Sequence, residues 1–494
     1  MSAGEPRPAD VLDRLHHLRA ADAPTHGGRV LSYVYDSGVT ELDELADAAA
    51  RLARPLNGLD PTVFPSIAAM ERDVIGFARR MLHGRRSVVG TVTSGGTESC
   101  LLAVKSARDL WRAENPKDAA RKRPRLVAPA TAHAAFQKAA ALFDLDFDPV
   151  PCAPDGSVDP AEIIGRMGND VALVVVSAPS YPTGLLDPVG AVAPAAADRG
   201  IPCHVDACFG GFVLPWWPKL PAWDFRVRGV TSISADLHKF GYAPKGVSVL
   251  LHGGPQARRR RRAQFFATTR WAGYPVVNPT LLGSRSASPL AAAWAITQHL
   301  GDEGYAELTA AIRRAATAVR RAVHEIPGLA VLGDPVGPAI AVVADESVLS
   351  ADRVDPHRLA DALTRHGWKI QHQPGFTQSD GVRIPHSAHL TLTPALDDGI
   401  DEFTGALAAA SDEVRGVPPA DARALVRVVT ALGYGHGGRV PGPRAAWTLL
   451  RLAGAAKVSA DAPLATLMAL VELLPAPVAE ALLSELLARL SDPR

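Results

Sequence analysis

Lys239 follows His238 directly and opens a glycine-punctuated turn that runs through Lys245 to Gly246. A lysine amine on an ordered turn can capture an aldehyde once desolvation favours its neutral form. His-Lys pairs are common and mostly superficial, so this pair alone decides little. Upstream, Asp206 closes an apolar run and is followed by Ala207, Cys208, Phe209, Gly210 and Gly211. Small residues there let something flat approach, although a capping or turn aspartate is the plainer reading. Together the carboxylate and the lysine offer the two contacts that pyridoxal phosphate needs, one at its pyridine nitrogen and one at its aldehyde. Gly95, Gly96 and Thr97 sit between a strand pattern and a helix pattern. Backbone N–H groups of such a turn bind phosphate. Their spacing matches neither the dinucleotide nor the ATP glycine motif. His133 stands among small residues after another strand, as a packed or capping histidine or as a stacking partner.

These residues need a frame. Ser87–Thr93, Arg125–Pro129, Val171–Ser177, Ile201–Val205, Val230–Ile233 and Val247–Leu251 read as short buried strands separated by helical patterns. That alternation predicts an α/β fold with a mostly parallel central sheet and helices on both faces. Ligands in such sheets sit at the carboxyl ends of the strands. A small α+β unit is expected after Gly328, with strands at Leu329–Leu332, Ala339–Val343 and His389–Thr393 and a helix at His357–His366. His389–Thr393 alternates and predicts a half-buried strand. From about Pro418 the pattern is helical, with a glycine-rich break at 433–438.

Composition narrows the function. The 494 residues carry 52 Lys plus Arg against 51 Asp plus Glu, a formal net charge of +1. Binding of nucleic acid or a membrane surface through bulk charge is disfavoured. The arginine runs at 258–262 and 121–125 read as solvated surface. The four cysteines, Cys100, Cys152, Cys203 and Cys208, are too few and scattered for a disulfide scaffold. No CxxC pair exists, and no metal site is expected. The opening residues lack an apolar signal core, and the greasy stretch 462–483 is broken by Glu472, Pro475, Pro477 and Glu480. It reads as two packed helices, so a cytoplasmic protein without a membrane span is expected.

The segments Val92–Ser99, Thr131–Phe136, His204–Gly211, Asp224–Asp236, His238–Gly246 and Asn278–Arg285, in that order, resemble the group II decarboxylase superfamily of fold type I pyridoxal-phosphate enzymes. Within it, the resemblance is strongest to the sphingosine-1-phosphate lyases, over roughly residues 28–415. The resemblance implies residues 1–70 as an N-terminal segment, 71–326 as the large cofactor domain, 327–415 as a small domain and 416–494 as a helical extension. It implies that Lys239 holds the cofactor as a Schiff base and that Asp206 pairs with the ring nitrogen. His133 and Cys208 would flank the ring. Gly95, Gly96, Thr97 and His238 would hold the phosphate, joined across a homodimer interface by Gly283 and Ser284. Tyr35, Asn57, Tyr181, Lys245 and His389 would line the substrate side, with Tyr181 and Lys245 as general acid and base.

Two reactions share this machinery. A lyase would cleave the bond between the amine-bearing and hydroxyl-bearing carbons of a β-hydroxy amine, giving an aldehyde and an amine. An amino-acid decarboxylase would release carbon dioxide instead. The chain also departs from the lyase pattern: Asp60 and Thr62 stand where lyases carry His and Asp. A carboxylate at position 60 is expected to repel a phosphate dianion on the substrate and favour a neutral or cationic group. The stretch Gln373–Pro385 is longer than the lyase loop that leads into His389.

Overall fold

A computed structural model describes residues 7–435, 437–453 and 463–493. Its centre is a seven-stranded sheet built from β1 (Val89–Thr93), β2 (Arg125–Pro129), β3 (Asp146–Val150), β4 (Val171–Ser177), β5 (Cys203–Asp206), β6 (Val230–Ala235) and β7 (Ser248–His252). The spatial order is β1-β7-β6-β5-β4-β2-β3. Only β7 runs against its neighbours; every other pairing is parallel. Six strands therefore point their carboxyl ends the same way. All seven residues of β4 are buried, as an uninterrupted β-branched run demands of a strand covered on both faces.

Short links hold the chemistry-bearing residues at those carboxyl ends. The helix Gly96–Glu114 follows β1, His133 lies between β2 and the helix Ala135–Phe143, and Asp206 ends β5. Lys239 follows β6 in a turn whose Gly241 is closed over by Leu237 and Tyr305. A helix from Ser288 to Glu325, broken at Gly301, packs on the helices Thr40–Ala53 and Pro65–Met81 and leads into the small unit.

Between these two regions, a hairpin of β8 (Phe266–Thr268) and β9 (Val276–Asn278) projects from the large sheet. The small unit contains β10 (Leu329–Val331), β11 (Ala339–Ala344), β12 (Gln371–Gln373), the hairpin β13 (Phe376–Thr377) and β14 (Arg383–Ile384), and β15 (Ser387–Thr391). Its four-stranded antiparallel sheet has the order β10-β11-β15-β12. β15 is not half-buried as its alternation suggested: all five residues are buried. The helix Pro356–Arg365 packs on the strand. Tyr181 lies against His389, and Thr391 N–H donates to the Leu31 carbonyl.

The helices Arg423–Ala431, Pro443–Leu452, Ala465–Leu473 and Ala476–Leu490 bury Val429, Leu449, Leu450, Leu470, Val478 and Leu482 together. The stretch read as two helices holds two, although residue 462 lies outside the described residues, as does residue 436 in the glycine-rich break. Among the described residues, no helix is long and apolar enough to cross a membrane. The arginine runs are only partly solvated. Arg125 on β2 binds Asp148 and Asp170, and Arg260 donates to the Gly253 carbonyl, because acceptors stand within reach of each long side chain.

Candidate active site

A cavity of about 530 Å³ opens over the strand ends, lined by Tyr35, Gly95, Gly96, Thr97, His133, Tyr181, Asp206, Cys208, His238 and Lys239. Ten of the residues singled out from the sequence thus meet in one place. Lys239 Nζ lies 3.1 Å from Asp236 Oδ2, and His238 Nε2 lies 3.4 Å from the same oxygen. Burial alone would lower the Lys239 ammonium, but the charge of Asp236 outweighs it and raises its pKa well above the ordinary range. Burial likewise opposes ionisation of Asp236, and the Lys239 charge, helped by the adjacent His238 ring, overcomes it. The lysine is therefore stored as an ammonium on a buried counter-ion.

Asp206 is held through Oδ1, which accepts from Cys208 N–H at 3.0 Å and from Ser234 Oγ at 3.1 Å. Ser234 in turn contacts His204 Nε2 at 3.2 Å, and His204 Nδ1 contacts Ser232 Oγ at 2.8 Å. Burial pushes His204 down to about 4, so a neutral imidazole braces the carboxylate from beneath. Cys208 Sγ lies 3.9 Å from Cys100 Sγ, and burial raises its thiol far above the usual range. It is a neutral wall rather than a nucleophile. His133 both lines the cavity and caps: its Nδ1 accepts from Ala135 N–H at 3.1 Å.

The glycine turn fits a phosphate for steric reasons. A Cβ on Gly96 would stand 2.5 Å from Asp236 Oδ2 and 2.8 Å from Cys208 Sγ, and one on Gly95 would stand 2.9 Å from His238 Cε1. Gly96, Thr97 and Glu98 begin the helix, so their N–H groups have no intrahelical acceptor. Those donors, the ammonium of Lys239 and the carboxylate of Asp206 match the phosphate, aldehyde and ring nitrogen of pyridoxal phosphate, and the cavity is of ligand size.

On the open side, Tyr181 Oη donates to Gln371 Oε1 at 2.6 Å, and the ring lies 4.4 Å from that of His389. Burial raises the Tyr181 phenol and lowers His389 to about 4, so both are neutral near pH 7. His389 sits behind Tyr181 and does not line the cavity. Lys245 Nζ lies 4.4 Å over the Tyr35 ring and donates to the His238 carbonyl at 2.8 Å. The residue is exposed overall, but desolvation, with the charge of Lys239, lowers its amine to about 8.

Lys245, Asn57, Asp60, Gly283 and Ser284 do not line the Lys239 cavity within the chain. Asn57 Nδ2 donates to Ser284 Oγ at 3.1 Å, and Ser284 lines an adjoining cavity that shares Ser94 and Glu98 with the first. Asp60 is exposed. It accepts from Thr62 N–H and Oγ1, which hold its carboxyl below the usual range, and it faces a separate cavity with Arg72 and Arg261. A motif match places a residue along the chain but not in a cavity.

Sequence reasoning missed three residues. Asp236 was visible only as part of a motif; its role needs the turn that folds Lys239 back over it. Gln371 lies on a short polar strand with no apolar pattern to mark it. Glu98 accepts from Ser94 N–H at 2.6 Å and from Leu281 N–H at 2.5 Å, tying the glycine turn to the 281–286 loop. The pairing of a buried acid with Gly-Gly-Thr was the available signal.

Residues 43–331 match the pyridoxal-dependent decarboxylase conserved domain. The chain is 35% identical over 390 residues to sphingosine-1-phosphate lyase 1 of Rattus norvegicus, covering 78% of this chain and 64% of that one. It therefore spans just under two thirds of the length of that relative. Sphingosine-1-phosphate lyase of Dictyostelium discoideum is 34% identical, with 78% and 69% covered. Among solved structures, the sphingosine-1-phosphate lyase of Burkholderia pseudomallei superposes with a TM-score of 0.75 at 33% identity, covering 87% of this chain and 96% of the other. A Lactobacillus brevis glutamate decarboxylase shares the fold, with a TM-score of 0.73 at 20% identity over 84% and 94%. With these strand-end residues on this fold, the chain belongs to the pyridoxal-dependent decarboxylase family as a sphingosine-1-phosphate lyase-like member, and its cofactor is pyridoxal phosphate.

Proposed function

We propose that the protein is a cytoplasmic, homodimeric carbon–carbon lyase that cleaves a β-hydroxy amine of the sphingosine-1-phosphate type into an aldehyde and an amine. The observation that carries this reading is the likeness to lyases across most of the chain, joined to a cavity that holds Lys239, Asp206 and the glycine turn together. Pyridoxal phosphate, when bound, supplies an aldehyde that captures amines and a ring that accepts electrons. Asp206 would hold the ring nitrogen protonated, Gly95, Gly96, Thr97 and His238 would hold the phosphate, and His133 and Cys208 would confine the ring.

The chain's own groups move the protons. Lys245 Nζ, lowered to about 8, is partly neutral just above pH 7 and can take the substrate's hydroxyl proton. Tyr181 Oη keeps its proton, given to Gln371 Oε1 at rest, and on leaving that acceptor it can return one to carbon. Tyr35 and Phe209 close the apolar side and limit water near Lys239.

A dimer is supported by Asn57, Gly283 and Ser284, which stand beside the cavity rather than in it. Exposed Phe266, Trp271, Tyr274, Val277, Leu281 and Leu282 cluster on the same segment and need cover. The test is incubation with phosphorylated and unphosphorylated long-chain β-hydroxy amines and with amino acids, scoring aldehyde and carbon dioxide. Aldehyde from the amines is expected. Carbon dioxide from an amino acid with no aldehyde from any amine would overturn the lyase reading. If Asp60 disfavours a phosphate dianion, Asp60→His raises affinity for the phosphorylated amine; unchanged affinity would remove that idea.

A further inference from the structure

A second cluster of chemistry-bearing side chains lies away from the cofactor cavity. On β12, Gln371 serves the cavity while its neighbour His372 points to the opposite face. There His357, at the start of the helix Pro356–Arg365, meets His386, just before β15, and Glu472, near the end of the helix Ala465–Leu473. Glu472 Oε1 lies 3.1 Å from His357 Nε2 and 3.7 Å from His386 Nδ1. A tetrahedral zinc ion with bonds of about 2.0–2.1 Å places its ligand atoms roughly 3.3–3.4 Å apart, between those two distances.

The outer atoms are arranged as such a site requires. His386 Nε2 contacts Asp355 Oδ2 at 2.9 Å, and His357 Nδ1 contacts His372 Nδ1 at 3.3 Å. His372 Nε2 faces Asp361 Oδ1 at 3.4 Å. Glu472 Oε2 is held by Arg383 Nη2 at 2.6 Å, and Gly375 N–H donates to Oε1. Orientation of each ligand by a partner on its far side is the usual mark of a metal centre.

His386, held at Nε2 by Asp355, turns Nδ1 toward the same Glu472 oxygen that faces His357 Nε2.

We propose that His357, His386 and Glu472 bind one divalent transition-metal ion of the zinc class, which ties the helix Ala465–Leu473 to the small sheet. The two ligand rings stand 4.7 Å apart and within 20° of parallel, so one must swing as the ion enters. His386, a quarter exposed, pivots about its contact with Asp355. The role is structural, and two groups that hold Glu472, Gly375 N–H and Arg383, lie in the 373–385 loop.

The test uses the full-length, pyridoxal-phosphate-loaded protein, stripped with a chelator and then given one equivalent of Zn²⁺ or Co²⁺. Retention of about one Zn²⁺ per chain, a rise of several degrees in Tm and tetrahedral cobalt bands are expected. Glu472→Gln and His357→Gln should each weaken binding at least tenfold, with cofactor absorbance unchanged. X-ray absorption on the wild-type zinc protein should show nitrogen and oxygen ligands alone, which keeps the test sound if a variant misfolds. No retained zinc, equal retention in both variants, or sulfur ligation by the Cys100–Cys208 pair would each overturn the proposal.

Discussion

Lys239 and Asp236 form a buried ion pair whose members each need the other. Removing one leaves its partner, Asp236 fully buried or Lys239 largely so, without a counter-ion, at a cost of about 3–5 kcal/mol. Asp236→Asn and Lys239→Met should therefore each destabilise the cofactor-free protein by about that much. The double variant should cost clearly less than the sum, measured by urea unfolding. Additive losses would mean that the pair is not coupled. Lys239→Ala should also abolish turnover and covalent retention of the cofactor; full activity would remove the site assignment. At Lys245 the sign follows from its lowered value. If the neutral amine is the working base, the turnover rate rises with pH through about 8 and then levels. Lys245→Gln should erase that limb and lower kcat about 10²–10⁴-fold while cofactor absorbance persists. A limb that survives in the variant assigns the base elsewhere.

At the scale of elements, the strands carry histidines that burial keeps neutral. His204 in β5, His252 in β7 and His389 in β15 are all lowered to about 4 from an ordinary 6.5. The unfolded chain binds protons at these sites before the folded one does. Stability should thus be complete above about pH 6.5 and fall toward pH 4, by roughly 3 kcal/mol for each histidine. Asp187 works the other way: its buried carboxyl is raised to about 7, so it favours the folded state less as pH rises from 4 to 7. Asp187→Asn should steepen the histidine slope in urea titrations between pH 4 and 7; a flatter slope would contradict it. The elements were legible where pattern alone decides: β4 as an unbroken apolar run, and the glycine turn as the seam between strand and helix. Gln371 and Asp236 were not, because a polar residue acquires its role from what the tertiary fold sets against it. Asp60 shows the same limit from the other side. Its motif position was readable, but its capping of Thr62 and its separate cavity were not.

On the scale of the whole molecule, the exposed apolar segment from Phe266 to Leu282 sets the expected assembly. Val277→Asp with Leu281→Asp should convert a dimer to a monomer by light scattering and lower activity more than tenfold, because Ser284 follows on the same loop. A monomeric variant with full activity would show that each chain completes its own site.

The antiparallel placement of β7 has a consequence for the order in which the molecule can form. β1 emerges from the ribosome early, at residues 89–93, yet its sheet partner among the described residues is β7, at residues 248–252. At about 5–20 residues per second, β1 and its glycine turn wait on the order of ten seconds for a neighbour. During that interval β2 to β6 can pair among themselves, but the phosphate cradle has no edge to dock on. Cofactor capture is then a late checkpoint in biosynthesis, and a nascent chain halted before residue 248 should not retain it.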